Sequence, residues 1–204
     1  MSGFSVFAPA SDEFFFAARG QGAARNFDPV HATSGTELNF SRIAGPKPLV
    51  ENAAPLLAAV FVPASDEFFF AARGQGAARN GVPVSASPGA ALDFSRIAGP
   101  KPLVERLNRS SGELTLYPRI GSLALRLCRV AEGTLDAAFA GGQSRDWDLA
   151  AADLIVQEAN GNMTALSGDS ILYNLREVTH GVLVAAGRER HASIVEHFRR
   201  RPLP

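Results

Sequence analysis

Cysteine is almost absent from this sequence: Cys128 is the only one in 204 residues, so no intramolecular disulfide can form. Its apolar setting, "SLALRLCRVAEG", reads as a place for a buried small hydrophobe, which suits a reducing compartment. Excess charge is absent too. Twenty Lys and Arg balance twenty Asp and Glu, which removes the whole-molecule field that would favour a nucleic acid polymer or an anionic membrane. Long apolar runs are missing as well: no stretch reaches the roughly 18 residues of a membrane span. The acidic pair Asp12-Glu13 interrupts the N-terminal region before a signal-length run develops. A cytoplasmic protein is expected. The remaining basic run, Arg199-Arg200-Arg201, reads as a solvated tail after a closing helix.

What is present points to a globule. Apolar residues make up 46% and charged residues 20%, which excludes a disordered chain, and the length suits one domain or two small subdomains. Internal repetition is the dominant feature. Val6 to Glu51 matches Val60 to Glu105 at a constant offset of 54, with 37 of 46 positions identical, and Pro9 to Asn26 recurs unchanged at Pro63 to Asn80. Two units are too few for a solenoid, so a tandem duplication is the better reading.

Each unit reads as a small antiparallel meander: "AVFVPAS" as strand and turn, "DEFFFAARG" as an aromatic strand, "GQG" as a turn, then "AARN" leading to "GVPVSAS". Asn80-Gly81 readily takes the positive φ angles of a two-residue hairpin turn. Asn26-Phe27 of the first copy does not, so only the second copy is expected to fold properly. The first lacks a partner of its own in a core.

From residue 114 onward helix and strand alternate, the pattern of an α/β layer. "PLVERLNRSS" looks like the end of a helix and "GELTLYP" like a short strand. In "RIGSLALRLCRVAEG" Leu123, Leu127 and Val130 follow helical spacing, with Ser122 as N-cap and Gly133 as terminator. "TLDAAFA" reads as a strand, Leu149 to Glu158 as a mostly buried helix stopped by Asn160-Gly161, and "NMTALSG" and "SILYN" as short strands or a hairpin. "HGVLVAAG" reads as a buried strand and "RERHASIVEHFRR" as the closing helix. An aspartate at the first turn of a helix, as Asp148 is, accepts backbone N–H bonds and complements the dipole.

In this order, "VFVPASDEFFFAARGQGAARNG", "GSLALRLCRVAEGTLDA", "WDLAAADLIVQEANG" and "GVLVAAG" resemble the inositol monophosphatase superfamily, including its 3'(2'),5'-bisphosphate nucleotidase branch, over roughly residues 55 to 200. The resemblance implies an incomplete α/β sandwich of layered helices and sheets, with the duplicated β-meander at its N-terminal end. It also implies a Mg²⁺-dependent phosphomonoesterase acting on a small phosphorylated metabolite, in which clustered carboxylates hold two or three ions. Asp148 falls on the family's "WD" metal ligand, beside Trp147 on the substrate side. Gly121, Ser122, Leu123 and Ala124 fall on the "GS" turn beside the substrate, where helix N-terminal N–H groups suit an anion or hydroxyl.

The family's glutamate-bearing N-terminal region and its "DPxDGT" motif have no counterpart. The nearest string, Asp28-Pro29-Val30-His31-Ala32-Thr33, puts histidine and alanine where aspartate and glycine belong, and it aligns continuously with "VPVSAS" of the second repeat. Mg²⁺ prefers hard oxygen ligands, which His31 does not supply. Asp148 is therefore expected to bind Mg²⁺ weakly and to serve mainly as a cap, and no catalytic residue is assigned. Asp136 reads as a local turn former, Asp146 as a solvated neighbour, Asp153 as facing away from Asp148, and His180, His191 and His197 as surface or helix-end residues. The organisation expected is residues 1–54 as an atypical meander, 55–106 as the family-like meander and 107–204 as an α/β subdomain. Two functions follow: a weak or inactive phosphatase, or a non-catalytic remnant serving as a dimerisation or partner-binding module, with a homodimer as its candidate assembly.

Overall fold

A computed structural model describes residues 3–8, 13–18, 22–25, 28–30, 55, 57–92, 95–111 and 114–201. The Asn26-Phe27 turn, the string from His31 to Thr33 and the last three residues lie outside these. The chain divides into two compact units, Met1–Ala53 with Phe61–Glu67, and Ala54–Val60 with Phe68–Pro204.

Both copies of the repeat form a four-stranded antiparallel meander. In the first, β1 (Gly3–Ala8), β2 (Glu13–Ala18), β3 (Gly22–Arg25) and β4 (Asp28–Val30) pair in sequence order. In the second, β5 (Leu57–Val62), β6 (Glu67–Ala72), β7 (Ala77–Arg79) and β8 (Val82–Val84) do the same. Pairing of β2 with β3 rests on the unchanged block Pro9 to Asn26, while the Asn26-Phe27 turn, on which the expected difference between the copies rests, lies outside the described residues. In the second copy the β7–β8 turn is as read, with φ of 48° at Asn80 and 78° at Gly81. The Asn80 side chain also accepts from the Phe68 N–H at 2.7 Å, which fixes the register.

The α/β part is built on a five-stranded sheet in the order β10-β9-β11-β15-β13: β10 (Thr115–Leu116), β9 (Arg96–Ala98), β11 (Ala137–Ala140), β15 (Leu183–Gly187) and β13 (Gly161–Ala165). β9 runs parallel to both neighbours, and the other pairings are antiparallel. All residues of β11 and β15 are buried, as expected of central strands covered on both faces. Helices α1 (Lys101–Ser111) and α4 (Arg188–Arg200) cover one face, where Leu103, Val104, Leu107, Ile194, Val195 and Phe198 close on Ile97, Phe139 and Val184. Helices α2 (Leu123–Ala131) and α3 (Asp146–Glu158) pack on each other; α2 lies along β11 and β15, and α3 along β13.

Local details add to what the sequence foretells. "SILYN" forms no strand of its own, but it turns back on β13 through an isolated antiparallel bridge between Thr164 and Ser170 and the Ala165 N–H donating to the Asp169 carbonyl at 3.0 Å, as the hairpin alternative expects. β9 carried no strand signal of its own: its three residues are set by pairing between β10 and β11. A two-stranded ladder of β12 (Ser144–Arg145) and β14 (Thr179–His180) was likewise not foreseen. Among the described residues no helix is long and apolar enough to cross a membrane.

Candidate functional site

Helix α2 begins where the sequence places its cap. Ser122 is extended, and its hydroxyl accepts from the Leu125 N–H at 3.3 Å, while Gly133, at φ 75°, ends the segment. The opposite wall is the start of α3, which follows directly on β12. There the Asp148 carboxylate reaches back to the Arg145 N–H at 3.4 Å, the long return bond of a capping arrangement. Trp147 is 68% exposed, with the Arg145 guanidinium 5.2 Å from its ring centroid.

These two helix starts line one open cleft of about 550 Å³. Gly121, Ser122, Leu123 and Ala124 border it on one side, Trp147 and Asp148 on the other, and the glycine loop Gly141-Gly142 runs between them. All six residues singled out in the sequence therefore meet around one space. Sequence reasoning did not single out Arg126. It borders this cleft and a second one of about 490 Å³, which Lys101, Tyr117 and Arg119 also line. Its guanidinium donates to the Phe139 and Ile120 carbonyls at 2.9 and 3.0 Å, so it ties α2 to the central sheet. Burial, then the charge of Arg119, lowers its pKa from the ordinary arginine value. Chemically, the cleft is bordered by the first turn of α2, whose N–H groups suit an anionic oxygen, and by one exposed carboxylate.

The other three aspartates weighed in the sequence are engaged in structure. Asp146 is no solvated neighbour: it pairs with His180 Nε2 at 2.6 Å and accepts from the Asn174 N–H at 2.8 Å, which fastens β14 and its approach to the start of α3. Asp136 is no local turn former. It accepts from the Ser87 hydroxyl at 2.7 Å and from the backbone and side chain of Arg96, far away in sequence. Asp153 is buried and accepts from the Tyr173 hydroxyl at 2.8 Å; burial raises its pKa, and Tyr173's is raised too, by burial first and by Asp153 next. His191 is buried rather than at the surface, contacts the Thr164 hydroxyl at 3.0 Å, and is driven by burial to a pKa of about 4. Cys128 is buried, as read.

Two relatives and a fold comparison bear on this arrangement. A sequence profile described as the inositol monophosphatase family matches residues 48–203. The chain belongs to the inositol monophosphatase family. The protein called Nus factor SuhB in Escherichia coli (strain K12) is 35% identical over 121 residues, 55% of this chain and 45% of that protein. Inositol monophosphatase 2 of Solanum lycopersicum is 31% identical over 161 residues, 74% of this chain and 61% of that one. The solved structure of the Thermotoga maritima IMPase shares the fold with a TM-score of 0.60 and 25% identity, over 71% of this chain and 56% of that chain. The chain thus spans about half to three fifths of the length of these relatives.

Members of this family use Mg²⁺, and the described residues do not fit that ion. Mg²⁺ takes near-octahedral oxygen coordination, usually from more than one carboxylate. Asp148 is the one carboxylate on the cleft, and no group of three or more His, Cys, Asp or Glu residues able to hold a metal occurs among the described residues.

Proposed function

We propose that this chain carries the substrate side of a phosphomonoesterase cleft for a small phosphorylated metabolite, an inositol phosphate or a 3'(2'),5'-bisphosphate nucleotide, with too few metal ligands for efficient turnover. The observation that carries the reading is that the exposed carboxylate of Asp148 is the one acid bordering the same cleft as the capped start of α2. The α2 N–H groups suit a phosphoryl oxygen or hydroxyl, while one carboxylate neither concentrates Mg²⁺ nor orients a water. The balanced charge supports no role for a nucleic acid polymer, and the lone buried cysteine suits the cytoplasm.

The test is phosphate release from inositol 1-phosphate and from adenosine 3',5'-bisphosphate with Mg²⁺, for the natural chain and for Asp148→Ala. Neither is expected to exceed the buffer rate, and the substitution should cost only about 1 kcal/mol of stability through the lost cap. Robust turnover abolished by Asp148→Ala would overturn the proposal. A second reading, a dimerisation or partner-binding module, has its own observation: Phe68 and Phe70 are 36% and 42% exposed on the outward face of β6. A solution mass of twice 21.5 kDa would support it, and a clean 21.5 kDa species would count against it.

A further inference from the structure

Between β13 and β15 the chain runs through a surface strap with little to hold it down. Across residues 167–181 Tyr173 is the one buried residue, while Leu172 and Leu175 beside it are 63% and 54% exposed. A segment that buries so little apolar surface opens readily, so its position depends on what Tyr173 meets. That partner is Asp153 on α3, whose Oδ2 accepts from the Tyr173 hydroxyl at 2.8 Å.

Asp153 is 2% exposed, and its Oδ1 has no hydrogen-bond partner among the described residues. A buried carboxylate satisfied on one oxygen is unfavourable when charged and tolerated when it carries a proton. Burial raises its pKa and outweighs the Gln157 side chain one turn on, the Tyr173 hydroxyl and the charge of Arg73 in the turn between β6 and β7, all of which favour the charged form. Of the other elements packed on α3, the described residues of α2, β7, β12 and β13 contribute no charge that bears on it. On the far side of Tyr173 lie His180, whose ring meets the tyrosine edge to face with centroids 5.8 Å apart, and Asp146, whose charge acts on the hydroxyl.

The strap is jointed on both sides of this contact. Gly168 and Asn174 take positive φ angles of 93° and 58°, and the Asn174 N–H is tied to Asp146 at 2.8 Å. β14 then pairs with β12, the strand that leads directly into Trp147 and Asp148 at the cleft.

We propose that Asp153 and Tyr173 form a proton-operated latch: the protonated carboxyl holds the strap on α3, and loss of its proton to solvent releases residues 169–173. The closed strap binds this proton more tightly than the open one, in which Asp153 meets water. The latch is therefore complete below the ordinary aspartate pKa of about 3.9 and weakens as pH rises through the higher value of the closed state, the closing equilibrium falling about tenfold per pH unit between the two. The cleft wall that β12 and α3 form is held most firmly in acid.

Tyrosine labelled with ¹³C at Cζ tests this in the full chain, because Tyr117 and Tyr173 are its only tyrosines and Tyr173→Phe identifies the signal by its loss. Between pH 4 and pH 8 the Tyr173 signal should move with a midpoint above the ordinary aspartate value. Asp153→Asn, which keeps the shape and removes the charge, should abolish that movement. Hydrogen exchange reads the opening at two amides that release frees, Ala165, which donates to the Asp169 carbonyl, and Asn174, which donates to Asp146. After correction for the intrinsic effect of pH, their protection should fall with rising pH in the natural chain, stay high in Asp153→Asn and be low throughout in Tyr173→Phe. Movement of the Tyr173 signal that persists in Asp153→Asn would assign it to Asp146 or His180 and overturn the proposal. A signal that does not move, or protection in the natural chain that ignores pH, overturns it equally.

Discussion

Replacing Asp136 by alanine is expected to lower the free energy of unfolding by about 3 kcal/mol, the net of an ion pair and several hydrogen bonds around one buried carboxylate. Asp136 is 8% exposed and accepts from the Ser87 hydroxyl at 2.7 Å, the Arg96 N–H at 2.7 Å, and Arg96 Nε and Nη2 at 2.9 and 3.0 Å. Truncation leaves the Arg96 N–H, at the start of β9, without its acceptor. It also releases the segment at Ser87, which Arg190 holds from the other side through the Ser87 carbonyl and hydroxyl. Breaking a buried pair costs roughly 3–5 kcal/mol, and the 44% exposure of the Arg96 side chain argues for the low end. A urea titration at neutral pH with an unchanged m-value measures it; a loss below about 1 kcal/mol would show that β9 is held by its sheet partners alone.

The same carboxylate sets an acid limb. Burial alone would raise its pKa, but the Arg96 hydrogen bonds, with Ser87 adding to them, outweigh burial and bring it down to about 2. The folded value lies below the unfolded value of about 3.9, so the folded state binds this proton less readily. Its stabilisation is complete above about pH 4 and fades as pH falls through about 2, for a total of roughly 2 to 3 kcal/mol. Thermal melts between pH 7 and pH 2 should show this loss in the natural chain and a flatter acid limb in Asp136→Asn.

This pair also shows where sequence reading stops. Features closed by local hydrogen bonds were legible: the Ser122 cap, the Gly133 stop, the Asn80-Gly81 turn and the closing helix from Arg188. Each depends on residues a few positions apart. Asp136 with Arg96, and Asp146 with His180, close across 40 and 34 residues, and no local pattern announces such partners. β9 is invisible for the same reason, since three residues gain strand geometry only from neighbours on both edges. The cleft was legible in another way. Neither the stretch from Gly121 to Ala124 nor the pair Trp147-Asp148 signals a site alone; the family resemblance joined them, and the fold sets both helix starts on one space. Burial misled the reading of His191, because a polar residue on a helix with a strong polar face gives no sign that a β13 hydroxyl meets it inside.

Replacing Phe139 by alanine should cost more still, about 4 kcal/mol, at the centre of the sheet. The ring is fully buried, and it meets the Phe198 ring edge to face, with centroids 5.7 Å apart and planes at 79°. Strand β11 pairs with β9 on one side and β15 on the other, so it has little freedom to collapse into the void. Gly99 adds to this constraint: a Cβ there would lie 2.8 Å from the Phe139 Cβ, which shows how closely the chain after β9 already approaches. Phe139→Leu retains most of the volume and should cost about 1.5 kcal/mol or less. The contrast between the two variants in denaturant unfolding is the informative measurement, since equal losses would mean that α1 and α4 close over the cavity. The consequence reaches the cleft. The Phe139 carbonyl accepts from Arg126 and Gly141 follows shortly after β11, so a loosened β11 should also loosen the wall between the two helix starts.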